Sequence, residues 1–259
     1  MTDLPDHTIT GNIVVITDVW SPELENKRDI AIYLPPSYNT TEKRYPVLYM
    51  HDAQNLFDEG MSFSGEWQVD ENMELLAEQG VEAIVVGIPN RAEERMQECC
   101  PFACDDTPSF GDEYVRFIGE TLKPMIDERF RTLPMSQTTG ILGSSMGGLI
   151  TLYAFFRYPE VFGIAGAMSP SLWFADRAIY PFIEATERAP GRKLHLDIGT
   201  EEGEDALADA RRMRDLLLAE GYQVGQELLY MEDEGAMHTE SAWAYRLQVA
   251  LRFLLPRLS

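Results

Sequence analysis

Apolar and polar positions along the first part of the chain mark out short extended segments separated by turns. Residues 11–19 and 28–34 are rich in β-forming side chains, and the turn-prone triplets Ser21-Pro22-Glu23 and Glu25-Asn26-Lys27 lie between them, which predicts an antiparallel hairpin. Pro35-Pro36-Ser37-Tyr38 breaks that run. Residues 45–50 follow as a nearly continuous apolar stretch, the pattern of a parallel strand buried on both faces. The polar loop His51-Asp52-Ala53-Gln54-Asn55 then leads through Gly60 and Gly65 to Trp67, Val69, Met73, Leu75 and Leu76, which roughly keep helical spacing up to Gly80. Residues 81–88 read as another buried strand, so a strand-helix-strand rhythm is set.

The same rhythm continues to the C-terminus. Residues 89–108 are a long loop holding Asn90, Arg91, Arg95 and all three cysteines. Residues 110–130 are helical, with Val115, Ile118, Leu122 and Ile126 on one stripe and a kink expected at Pro124. A short apolar strand at 139–142 and a helix to Tyr158 flank a glycine-rich hexapeptide, and 161–168 is a strand. The loop Ser169-Pro170-Ser171-Leu172-Trp173-Phe174 leads to a helix at 177–187, a strand at 194–199, an amphipathic helix at 205–220, a last strand at 223–230 and a closing helix at 240–255. This order predicts a single α/β domain over residues 1–259: a mostly parallel central sheet opened by an antiparallel hairpin, helices on both faces and no large lid domain. Chemistry in such sheets collects beyond the C-terminal ends of the strands.

Composition narrows the partners. With 21 basic against 43 acidic residues the formal charge is -22, a field that repels nucleic acid and anionic membrane surfaces. Only four residues are lysine (Lys27, Lys43, Lys123, Lys193), a bias that a saline habitat or genome composition would each produce. No apolar run is long enough to span a bilayer, and residues 1–10 carry acids and a proline rather than a signal sequence. Cys99, Cys100 and Cys104 are odd in number and clustered, which argues against a disulfide framework and, with their poor spacing, against a metal site. A cytoplasmic protein without metal or cofactor is expected.

The hexapeptide Gly143-Ser144-Ser145-Met146-Gly147-Gly148 carries the chemistry. Only Ser145 fits the register G-x-S-x-G, because Ser144 would need a glycine at position 142, where the chain has Leu142. Strand, glycine-flanked serine and helix describe a nucleophile elbow, in which a strained turn lifts the serine off the sheet edge. A serine hydroxyl needs a base, and the base a carboxylate to hold its tautomer. Of the four histidines, His7 precedes the fold, His51 lies before the serine at a strand end, and His195 is inside a strand. His238 follows the last strand, as the chain order serine, acid, histidine requires. The acid should follow the strand at 194–199, where Glu201, Glu202, Glu204 and Asp205 stand; Glu202 is the first choice and Asp205 the second. Two backbone donors for an oxyanion are expected from Met146 and from the loop after the strand at 45–50, at Ala53 or Gln54.

With these parts in order the chain resembles the α/β-hydrolase superfamily, and within it the putative-esterase family, which is similar to feruloyl and acetyl xylan esterases, siderophore esterases and S-formylglutathione hydrolase. The resemblance rests on residues 49–58, Gly65-Glu66-Trp67, residues 143–148, Ser169-Pro170-Ser171-Leu172-Trp173, residues 196–200 and the stretch from Gly235 through His238 to Trp243. Ala53 departs from the glycine that many relatives carry. The resemblance implies hydrolysis of a carboxylic ester through an acyl-enzyme on Ser145, with small-acyl or carbohydrate-linked esters as the first expectation and feruloyl or siderophore esters as the alternative. A catalytically silent binding module on the same fold is the rival of another class. Trp67, Trp173, Phe174 and Trp243 lie in or beside the loops at the active edge and are candidates to line the substrate pocket, with Arg91 and Arg95 as candidate anion contacts.

Overall fold

The computed structural model describes residues 7–104 and 108–257. Among these residues eight strands form one sheet in the order β1-β2-β4-β3-β5-β6-β7-β8. The expected hairpin joins β1 (Asn12–Ser21) to β2 (Asn26–Leu34), with a bulge between Ile16 and Val19 where Asp18 takes a left-handed φ of 56°. β2 pairs antiparallel with β4 (Ile84–Ile88). From β4 onward, β3 (Val47–His51), β5 (Thr139–Ser144), β6 (Ile164–Met168), β7 (Lys193–Gly199) and β8 (Leu228–Asp233) run parallel. This is the α/β architecture that the alternation of patterns implies.

The sheet divides the core in two. Val47 and Tyr49 of β3 join one apolar cluster, Leu48 and Met50 the other, because successive strand side chains point to opposite faces. One face is covered by α1 (Val69–Ala77) and α9 (Glu240–Leu254). The other is covered by α3 (Gly111–Arg116), α4 (Lys123–Arg129), α5 (Met146–Arg157), α7 (Ile179–Glu184) and α8 (Glu204–Ala219). Met73, Leu247 and Leu251 are fully buried, and each such side chain contributes roughly 1.5–3 kcal/mol. α5 is apolar all round and buried from Met146 to Phe156, so the element that follows Ser145 is a rigid post through the middle of the molecule.

Several boundaries differ from the pattern-based expectation. The last strand begins at Leu228, not at Gln223, because residues 223–227 turn back on themselves: Gly225 N–H donates to Leu228 C=O and the N–H groups of Gln226 and Glu227 to Gln223 C=O. The helix at 110–130 contains a π-helical stretch, Phe117–Leu122, directly before Pro124 at the start of α4; a proline lacks the N–H that a regular helical bond needs, and a wider turn accommodates this. The long loop at 89–108 includes the short helix α2 (Arg95–Glu98). The helix expected at 177–187 is split into α6 (Phe174–Arg177), whose Ala175 and Asp176 are left-handed, and α7. No helix of the described residues is long and apolar enough to cross a membrane.

The order β4-β3-β5 puts successive strands on opposite sides of β3. Connections that leave in opposite directions open a crevice beyond the strand ends. Here it lies between the loop after β3 and the turn after β5.

Candidate active site

β5 ends at Ser144 and α5 begins at Met146, leaving Ser145 between them at φ 56°, ψ -121°. Such a backbone costs a non-glycine residue about 1–3 kcal/mol. Two bonds hold it: Ser145 N–H donates to Met168 C=O and Ser145 C=O accepts from Ser171 N–H, both at 3.0 Å. The glycines are needed for space. A Cβ on Gly143 would lie 2.6 Å from His51 Cδ2 and 3.0 Å from the Gly147 carbonyl carbon, and one on Gly148 would lie 3.0 Å from Pro170 Cα. Ser145 Oγ is 3.2 Å from Ser171 Oγ.

The loops after β7 and β8 meet each other. Glu201 N–H donates to Ala236 C=O at 3.0 Å, and Gly235 N–H to Thr200 Oγ1 at 2.9 Å. A Cβ on Gly199 would stand 2.3 Å from Ala236 O, so only glycine lets the loops touch. Their contact brings His238 Nδ1 to 2.6 Å from Glu202 Oε2, with the glutamate side chain 2% exposed and the imidazole 42% exposed. A carboxylate only accepts, so Nδ1 carries a proton, and in the neutral imidazole the lone pair is on Nε2. Asp205 lies in the first turn of α8, exposed, where a carboxylate favours the helix dipole. Among the described residues no hydrogen bond joins Ser145 to His238; the serine is paired with Ser171.

The other histidines are occupied. His51 lies directly behind the elbow, but Tyr114 OH at 2.8 Å and Thr151 Oγ1 at 3.1 Å take both ring nitrogens, and burial lowers its pKa to about 4. His195 Nε2 meets Asp197 Oδ2 at 2.8 Å, fully buried within β7. His7 Nδ1 meets Asp58 Oδ2 at 2.7 Å.

Beyond β3, Asp52 takes a left-handed φ of 57° and starts a 3-10 turn, Ala53–Asn55. A Cβ on Gly147 would lie 3.4 Å from His51 Cβ and 3.6 Å from Asp52 Oδ2, so this turn abuts the first turn of α5. The leading N–H groups of both turns have no acceptor within their own helix. Met146 heads one such turn; Ala53 and Gln54 head the other. Arg95 Nε and Nη2 grip the Asp52 carboxylate at 2.7 Å each, and Asn90 Nδ2 adds a bond at 2.6 Å. Burial alone would raise the Asp52 pKa, but the Arg95 fork outweighs it and holds the carboxyl below its ordinary value.

The expected pocket lining needs correction. Trp67 and Trp243 are 4% and 5% exposed and pack on each other with ring centroids 5.6 Å apart, so neither offers an open face to a ligand; Trp243 instead backs the His238 ring at 4.9 Å. Arg95 is spent on Asp52, and Arg91 pairs with Glu94 at 2.8 Å; acids already present take the anion-binding capacity proposed for these arginines. Trp173, 56% exposed, does face outward two residues beyond Ser171, while the half-buried Phe174 beside it packs against the core. An open groove of about 750 Å³ runs along Gly65, Gln68, Thr239, Glu240 and Tyr245, beside His238; its lining does not include Ser145.

Ser169, Asp197 and Arg246 stand behind the Glu202–His238 pair, Ser171 stands against Ser145, and none of the four was expected. The signal was present for one of them. Arg246 is a lone cation on the apolar stripe Trp243, Leu247, Ala250, Leu251 of α9, and it is fully buried. As for cations, Glu66, Asp70 and Glu71 at the start of α1 bring carboxylate oxygens within 4.8 Å of one another. Glu66 and Asp70 accept bonds from Thr8 and Thr10, which ties the N-terminal segment to α1.

Comparison with known proteins agrees with this fold. Residues 21–254 match the family described as "Putative esterase". The chain is 28% identical to the uncharacterized protein YbbA of Bacillus subtilis over 243 residues, covering 88% of this chain and 92% of the relative. It is 35% identical over 68 residues, 26% of this chain and 22% of the relative, to a siderophore enterobactin esterase of Emericella nidulans. Among solved structures, the BES protein of Bacillus cereus superimposes with a TM-score of 0.76 at 23% identity, covering 98% of each chain. The enterobactin esterase FES of Shigella flexneri does so with a TM-score of 0.74 at 18% identity, over 94% of this chain and 59% of that one. The family match spans nearly the whole sheet and its helices: the chain belongs to the putative esterase family and is a carboxylic ester hydrolase of the α/β-hydrolase fold.

Proposed function

We propose that the chain is a serine esterase that works through an acyl-enzyme, with Ser145 as nucleophile, His238 as general base and acid, and Glu202 as the carboxylate that orients the imidazole. The observation that carries the proposal is the 2.6 Å contact between His238 Nδ1 and the buried Glu202 carboxylate, which leaves Nε2 as the proton acceptor. In the reaction Ser145 Oγ exchanges its Ser171 partner for Nε2, gives up its proton and attacks the ester carbonyl. The oxyanion is held by Met146 N–H and an N–H of the Ala53–Gln54 turn, donors worth about 10²–10³ in rate each. Collapse breaks the bond to the leaving alcohol, which takes the proton from His238; water, activated by the same imidazole, then releases the acid. No metal or cofactor enters the scheme. The cytoplasmic placement draws on the clustered free cysteines.

Small-acyl or carbohydrate-linked esters fit an open site. A second reading, esters of aromatic acids of the feruloyl or siderophore type, is favoured by the exposed Trp173 beside Ser171, an open ring face on which an aryl acyl group stacks, and by relatives named as siderophore and feruloyl esterases. A fluorophosphonate probe tests the mechanism: it should label the wild type and spare Ser145→Ala. Equal labelling of both would move the nucleophile away from Ser145, and no labelling of either favours a silent binding module. Rates on acetylated sugars, feruloyl esters and a catechol trilactone separate the substrate readings.

A further inference from the structure

The Glu202 carboxylate is fixed from behind by a hydroxyl whose direction the surrounding atoms dictate. A serine hydroxyl has one proton and two lone pairs. At Ser169, Trp243 Nε1 and Arg246 Nη2 reach Oγ at 2.9 and 2.8 Å. Indole and guanidinium nitrogens can only donate, so both lone pairs are taken. The one remaining proton points to Glu202 Oε1, 2.6 Å away. Gly199 N–H donates to the same oxygen at 2.8 Å, and His238 takes the other. Every neighbour of the carboxylate is a donor.

Arg246 does not look like a residue kept for stability. It is fully buried, and its Nε and Nη1 have no hydrogen-bond acceptor; an apolar residue would fill this place on the α9 stripe at less cost. Its Nη2 also meets Asp197 Oδ1 at 3.1 Å and Glu202 Oε1 at 3.6 Å, with Asp233 Oδ2 3.6 Å from Nη1. Asp197 in turn accepts from Ser169 N–H through both Oδ1 and its main-chain carbonyl, which holds Ser169 at a left-handed φ of 41°.

We propose that Ser169 and Arg246 are positioning residues for the esterase reaction: the buried guanidinium, with the Trp243 indole, locks the Ser169 hydroxyl in the orientation that holds Glu202 against His238. The proposal rests on the reading of Glu202 and His238 as acid and base.

The test is kcat and KM for p-nitrophenyl acetate across pH, with thermal melting as the check on folding, for Ser169→Ala, Trp243→Phe, Arg246→Lys and Arg246→Met. Losing the hydrogen bond to a charged group should lower kcat of Ser169→Ala by about 10- to 100-fold with KM little changed. Trp243→Phe frees one lone pair of the hydroxyl and should lose less, in the same parameter. Arg246→Met, which removes a donor to the Ser169 hydroxyl, should lower kcat with KM little changed, and Arg246→Lys, which keeps a charged donor, should lose less. A folded Ser169→Ala with wild-type kcat, a loss confined to KM, or wild-type kcat in folded Arg246→Met overturns the proposal; if Arg246→Met does not fold, Ser169→Ala and Trp243→Phe decide. Full activity in Glu202→Gln and His238→Ala would instead remove the reading of the acid and base beneath it.

Discussion

Gly199→Ala is the smallest change that should part Glu202 from His238. The φ of Gly199 is outside the left-handed region, so alanine meets no conformational obstacle there, only a steric one. Its Cβ would lie 2.3 Å from Ala236 O and 2.8 Å from Glu202 Oε1, against the 3.4 Å at which ordinary contact begins. The loop carrying His238 or the one carrying Glu202 must therefore retreat by about 1 Å. Retreat along the line of the 2.6 Å His238–Glu202 bond takes it out of hydrogen-bonding range. A charge-assisted bond contributes about 1.5–3 kcal/mol, so kcat/KM should fall by about 10- to 150-fold. Overpacking should cost a further 1–3 kcal/mol or so of stability. Steady-state rates on a p-nitrophenyl ester and a urea titration measure the two effects separately. Wild-type kcat/KM in the folded variant would show that the contact of the two loops does not set the geometry of the pair.

The choice of acid is tested by Glu202→Gln against Asp205→Asn: the first should lose most of its activity and the second almost none, since Asp205 faces solvent in the first turn of α8; the reverse order would transfer the role. His51 gives the protein an acid sensitivity unrelated to catalysis. The unfolded chain protonates this residue near pH 6.5 and the folded chain only near 4, so its contribution is complete above pH 6.5 and fades as pH falls toward 4, by about 3 kcal/mol. The urea midpoint of the wild type should drop more steeply over that range than that of His51→Asn, and parallel slopes would refute the assignment.

Much of this molecule can be read from local pattern because its main signals are local. The buried strands β3, β4 and β5 appear as apolar runs, and the elbow compresses strand, serine and helix into a few residues with glycines where backbones meet. What escaped depends on contacts between distant segments. Trp67 and Trp243 look like pocket aromatics until α1 and α9 are laid side by side, and Arg95 looks free until α2 folds over Asp52. The edge strand β8 was placed too early because its outer side lies open to water. Glu232 and Asp233 can therefore sit in a strand, and a search for apolar residues stops short of them. Ser169 was visible in its loop, but its role needs Arg246 from a helix 77 positions further along.

The clasp of Arg95 and Asn90 on Asp52 has a consequence for anyone wishing to redesign this catalyst. The segment at 89–104 and the turn bearing Ala53 are mechanically one piece, because three short bonds from the former end on the carboxylate that introduces the latter. If that turn donates to the oxyanion as proposed, a library that randomises Asn90 or Arg95 to widen the choice of substrate would slacken it, and turnover would drop across the whole collection. Diversity is better placed at Trp173 and Phe174, which follow Ser171, the hydrogen-bond partner of Ser145, by two and three residues, and to which none of the described side-chain hydrogen bonds of Ser145, Glu202, His238 or Asp52 is anchored.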